Sequence, residues 1–161
     1  MGKIKPAIGV IGGSHAEEET IGLAYELGSH IANNDAVLIC GGLGGVMEAA
    51  AKGASENSGT VIGVLPGENK QDANPYVTIP LPTGMGTGRN ILVVRFSDVC
   101  IALPGSYGTL SEIGLTLNSG KTVVFLPGAW ELKKIGTVDS GRYKEAYNAP
   151  QAVGFALDAL R

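Results

Sequence analysis

The chain has 161 residues, 44% hydrophobic and 17% charged, and its 25 glycines are about twice the roughly 7% share usual in globular proteins. These glycines cluster behind apolar runs without a period, which excludes collagen; the apolar content can build a core, and no uninterrupted apolar run approaches the ~18 residues of a membrane span. A net charge of −3 with no lysine or arginine run argues against a nucleic-acid or membrane partner, so a single soluble domain over residues 1–161 is expected.

In chain order, residues 1–6 hold two lysines and no signal-peptide core, so a cytoplasmic protein is expected. Residues 7–11 are a nearly continuous apolar run, predicted as a strand, followed by Gly12-Gly13-Ser14 and a helical pattern over 17–32. A second strand at 36–40 leads through the glycines 41–45 into a helix at 46–56. A third strand at 60–65 follows, then a short one at 76–81 whose pattern is weakened by the bracketing Pro75 and Pro82. The loop 83–88 opens a helix at 89–97, before a strand at 98–103, a helix at 107–118 and a strand at 122–126. Residues 129–149 are the least periodic and read as a surface excursion, after which 150–160 resume an apolar helix. Continuous rather than alternating apolar strands imply a sheet covered on both faces. The fold class predicted is therefore α/β, a single-domain Rossmann-like doubly wound parallel sheet. Cys40 and Cys100 lie inside strands without a CxxC pair or a Cys/His cluster, so they are expected as buried thiols, and no catalytic metal is expected.

Glycines at strand C-termini line the edge where open α/β sheets bind ligands, although tight turns alone also call for glycine. Gly13 and Ser14 end the first strand. Gly42, Gly44 and Gly45 begin like a dinucleotide fingerprint, but Met47 stands in place of the third glycine and no acidic residue closes the next strand, so a nicotinamide enzyme is not expected. The second cradle comprises Gly105, Ser106, Tyr107, Gly108 and Thr109, whose amides and hydroxyls at a helix start suit a phosphate or another anion. Glu112 follows one turn later, either as a site carboxylate or as an acid favoured near a helix start. Arg89 and Asn90 follow a glycine loop that gives the planar guanidinium access to an anion, with a salt bridge as the alternative. Outside these loops, His15 suits a ligand contact or a polar loop. Trp130 and Tyr143 suit either a cover over a planar ring or packing on the domain.

Residues 104–112 resemble the P-G-G-x-G-T-x-x-E motif of the Lonely Guy (lysine-decarboxylase-like) superfamily, with Gly41 to Ala54 similar to its glycine loop and Arg89 in the place of its catalytic arginine. Ser106 replaces the motif's second glycine, Asn90 stands where the hydrolases carry lysine, and the chain is short. In these respects it is similar to the compact branch that includes molybdenum cofactor carrier proteins. The resemblance implies a binding and carrier protein for molybdenum cofactor or a similar phosphate-bearing ligand. The alternative it implies is a phosphoribohydrolase cleaving nucleoside 5′-monophosphates, with Arg89 and Glu112 catalytic; a nucleotide sensor is a third class. Finally, apolar residues surround the axis of the helix 91–96, which predicts a homo-oligomer, at least a dimer, with Val93 or Phe96 at the contact.

Overall fold

Short β-branched runs become strands here because helices cover both of their faces. The computed structural model describes residues 4–130 and 141–161. The chain runs β1 (Ala7–Ile11), α1 (Glu18–Asn33), β2 (Val37–Cys40), α2 (Val46–Glu56), β3 (Val61–Leu65), β4 (Ile79–Pro82), α3 (Asn90–Phe96), β5 (Val99–Ala102), α4 (Tyr107–Asn118), β6 (Val123–Phe125), β7 (Tyr143–Glu145) and α5 (Ala149–Asp158). The strands form a 7-stranded sheet in the order β4-β3-β2-β1-β5-β6-β7, and each neighbouring pair is parallel. This is the α/β Rossmann-like architecture expected.

Alternate strand residues feed two cores. Ile8, Val10, Leu38, Ile101 and Leu103 pack with Leu27, Ile31, Ala50 and Val153, placing α1, α2 and α5 on one face. Ile11, Ile39, Val64, Cys100 and Phe125 pack with Val93 and Ile113, placing α3 and α4 on the other. Helices α1 and α2 approach backbone to backbone: a Cβ on Gly28 would collide with the Ala50 carbonyl, and one on Gly53 with that of Tyr25. The short α3 ends against Lys121, whose Nζ donates to the carbonyls of Val94 at 2.8 Å, Arg95 at 3.2 Å and Ser97 at 2.6 Å. A cation there satisfies carbonyls that a helix end leaves open.

Two strands differ from expectation. β4 is shorter and begins later than the predicted strand, and as an edge strand it accommodates Pro80 and Pro82. β7, at the opposite edge, was not expected at all. Cys40 and Cys100 are free and buried, and burial pushes both thiols up to about 11. Of the proposed contact residues on α3, Val93 is 0% exposed and packs inside the second core, whereas Phe96 is 45% exposed. No helix among the described residues is long and apolar enough to cross a membrane.

Candidate functional site

Strand β1 pairs with β2 on one side and with β5 on the other, so the sheet order reverses there and the loops after β1 and β5 diverge. Crevices outside such a switch point are where open α/β sheets bind ligands. Backbone bonds fix the loops around it: the Gly13 amide donates to the Pro104 carbonyl at 2.9 Å, and the Val46 amide to the Gly13 carbonyl at 3.0 Å. Gly45 and Ser106 precede α2 and α4 without a side-chain cap. The Val46 amide at the start of α2 is taken by Gly13, so it is chiefly the first-turn amides of α4, which lack intrahelical partners, that are left for water or a ligand.

A cavity of about 270 Å³ lies at this point, lined by Gly13, Ser14, Arg89, Asn90, Ser106, Gly108, Thr109 and Glu112. Gly105 lines a larger outer depression that shares Gly13, Ser14 and Ser106 with the cavity and also takes in His15. Gly42, Gly44, Gly45 and Tyr107 line neither. Gly42, at φ 76°, is buried against Leu65 and Gly63, and a Cβ on Gly45 would collide with the loop of Gly13 and Ser14. Both therefore serve the close packing of the loops. Tyr107 points outward, 82% exposed, with its ring centroid 6.3 Å from that of Trp130.

Arg89 ends the 3-10 turn Gly86–Arg89 and precedes α3. Its guanidinium runs back across the sheet edge, where Nη2 donates to the Gly41 carbonyl at 3.5 Å and Nη1 donates to Asn90 Oδ1. Gly41 makes the room, since a Cβ there would stand 2.6 Å from Nη2 and 2.6 Å from Met47 Sδ. Asn90 is held in turn by donating to Ser111 Oγ at 3.0 Å, and Ser111 donates to the Gly108 carbonyl at 2.6 Å. The Arg89 Nε is buried with no hydrogen-bond partner.

Glu112 comes from the second turn of α4 and is 7% exposed. Its Oε1 lies 4.0 Å from Arg89 Nη1. Burial pushes the Glu112 carboxyl up to about 7, and the nearby guanidinium opposes that rise. Burial likewise draws Arg89 below its ordinary value, which the Glu112 charge counters. The arrangement thus joins a cation with an unused donor to a carboxyl able to gain or lose a proton near neutrality. Reading the sequence missed Gly41, Leu43, Met47 and Pro66, which also line the cavity. Gly41 and Leu43 belong to the glycine run 41–45 that was read as a cradle, but they were not singled out within it, and the pattern carries no signal for Met47 or Pro66. No cluster of three or more His, Cys, Asp or Glu side chains suited to a metal forms among the described residues.

A model of the SLOG cluster4 family matches residues 5–153. The chain belongs to the SLOG cluster4 family. This agrees with the Lonely Guy-like motif and with its short branch. An uncharacterized protein of Archaeoglobus fulgidus is 48% identical over 119 residues, covering 74% of this chain and 78% of that one. A probable cytokinin riboside 5′-monophosphate phosphoribohydrolase of Oryza sativa is 34% identical over 93 residues, covering 56% of this chain but only 41% of the rice protein. Among solved structures, the molybdenum cofactor binding protein of Rippkaea orientalis matches with a TM-score of 0.91 and 34% identity, over 99% of this chain and 100% of that one. The molybdenum cofactor carrier protein of Chlamydomonas reinhardtii matches with a TM-score of 0.88 and 35% identity, over 98% and 99% of the two chains. DNA processing protein A of Helicobacter pylori, at 19% identity and a TM-score of 0.71, shares the fold alone.

Proposed function

We propose that this protein binds and carries molybdenum cofactor or a closely similar phosphate-bearing pterin, held at the Arg89 and Glu112 cavity. The observation that carries this reading is the likeness, end to end and at 34% identity, to the Rippkaea orientalis molybdenum cofactor binding protein. The rice phosphoribohydrolase, by contrast, shares less than half its length with this chain. The site chemistry supports the reading: the uncapped start of α4 offers N–H donors, and Arg89, which lines the cavity, offers a cation to a phosphate. In this reading the amides of Ser14, Gly105, Ser106, Gly108 and Thr109 face the ligand, Gly13, whose own amide is held by Pro104, lines the site beside them, Arg89 neutralises the ligand's charge and Asn90 orients Arg89. Glu112 accepts from a polar ring group or, when protonated, donates to one.

One specific observation favours the second reading, a phosphoribohydrolase. Glu112 retains a carboxyl near neutrality, about 7, at 4.0 Å from a guanidinium. In that reading the carboxylate orients water or the ribose hydroxyls as C1′ gains oxocarbenium character, and Arg89 stabilises the departing base. An equilibrium titration with molybdenum cofactor beside a base-release assay on nucleoside 5′-monophosphates tests both. The carrier reading expects saturable binding and no released base. Base release that Glu112→Gln abolishes would instead establish the hydrolase. We also propose that the chain self-associates, through the face of α3 that bears Phe96.

A further inference from the structure

The Arg89 cavity, at about 270 Å³, is smaller than the ~300–1,000 Å³ that small-molecule sites span, and it adjoins the outer depression of about 990 Å³. The two meet at Gly13, Ser14 and Ser106, which line both, and Ser106 is the N-cap residue of α4. A phosphate held by the first-turn amides of α4 therefore sits at a junction, with a space on each side of it.

The two spaces differ in charge. Arg89 lines the inner one. Among the described residues that line the outer one there is no lysine or arginine, while Glu17, Glu19 and Glu26 all do. A second free phosphate there would meet carboxylates without a cation, so what lies beyond the junction is uncharged or cationic. The outer wall also suits an organic group. Tyr147 lines it and is 78% exposed, which leaves a ring open to pack on a ligand. Gly22 lines it from inside α1, where glycine is a poor helix former. Gly28 of the same helix is packed on the Ala50 carbonyl, but a Cβ on Gly22 would find nothing within 4 Å. Helix packing thus does not call for glycine at 22, and the bare wall keeps the depression open for a close approach. Gly114 and Gly154 have the same freedom but line neither space.

We propose that the ligand carries an organic group on each side of its phosphate: a phosphodiester or pyrophosphate whose first group lies in the Arg89 cavity and whose second, uncharged or cationic, lies in the outer depression beside Gly22 and Tyr147. The assignment rests on the reading that the junction binds phosphate, and it adds that this phosphate is bridging, not terminal.

Three adenine nucleotides test it by calorimetry, with adenine standing in for a bicyclic first group. AMP ends in its phosphate, ADP adds a second free phosphate, and diadenosine 5′,5′-pyrophosphate closes that second phosphate with another adenosine. The dinucleotide is expected to bind at least about tenfold more tightly than AMP, a gain that burying two methylene-sized groups supplies. ADP is expected to bind no more tightly than AMP. Gly22→Trp fills the depression with a better helix former and is expected to bring the dinucleotide down to the AMP level, whereas Gly22→Ala is expected to retain the gain. Tyr147→Ala is expected to reduce it. A dinucleotide that binds no better than AMP, ADP matching the dinucleotide, or a Gly22→Trp protein that keeps the full gain would each overturn the two-sided ligand and leave the phosphate site standing. Arg89→Ala is expected to weaken all three nucleotides alike. If it weakens none, or if none binds the wild type at millimolar concentration, the phosphate site itself is lost and the two-sided ligand with it.

Discussion

Arg89, from the turn before α3, and Glu112, from α4, reach one point from 23 positions apart in sequence, and what each does there is set by burial. Glu112 is raised from an ordinary value of 4.5 to about 7, so the folded state favours its neutral form. A raised carboxyl contributes stability that is fully present below about 4.5 and is lost as pH rises through about 7. Glu112→Gln is therefore expected to melt above the wild type at pH 8, with the gap closing toward pH 4.5, as thermal unfolding across that window will show. The same shift governs anions. Sulfate, whose charge is constant over this range, is expected to bind more tightly as pH falls from 8 to 6, because the protonated carboxyl stops repelling it. Glu112→Gln is expected to flatten that dependence in a calorimetric series. Arg89→Ala is expected to weaken sulfate by about 1.5–3 kcal/mol, the worth of a charge-assisted contact, with the fold intact by circular dichroism.

At the scale of elements, two contacts hold the helices that frame the site. Gly28 lets α1 lie directly on the Ala50 carbonyl of α2. Gly28→Ala, despite improving helix propensity, is expected to destabilise the protein by about 1–3 kcal/mol through overpacking, measurable by urea unfolding. Lys121 gathers the carbonyls at the end of α3, and Lys121→Met is expected to cost about 1.5–3 kcal/mol in the same measurement, since it strands those acceptors. Elements of this kind were legible where the apolar pattern was long: β1, α2 and α4 fall on the expected residues. β7 was not legible because Tyr143, Lys144 and Glu145 give an edge strand no apolar run. For the site, Arg89 and Glu112 were legible because each follows a glycine loop at a helix start. Gly41 was not: its task, making room for a guanidinium 48 positions away, is a tertiary contact without a local trace. The same holds for Gly42 and Gly45, whose backbone freedom serves loop packing and not the cavity.

At the scale of the whole molecule, the apolar surface of α3 is smaller than a helical projection suggests, because Val93 is consumed by the core. Phe96, 45% exposed, is left as the contact of the proposed self-association, so on that proposal Phe96→Asp is expected to lower the sedimenting mass while preserving the melting profile of the fold. A wild type sedimenting at 16.5 kDa at micromolar concentration would remove that interface. The central claim, that the crevice between Arg89 and Glu112 carries molybdenum cofactor, is tested most directly by molybdenum retention. Protein exposed to the cofactor is passed through gel filtration and its molybdenum content measured per chain. The account predicts stoichiometric molybdenum on the wild type and its loss from Arg89→Ala; a wild type that emerges without molybdenum, or an Arg89→Ala protein that keeps it fully, would contradict the account.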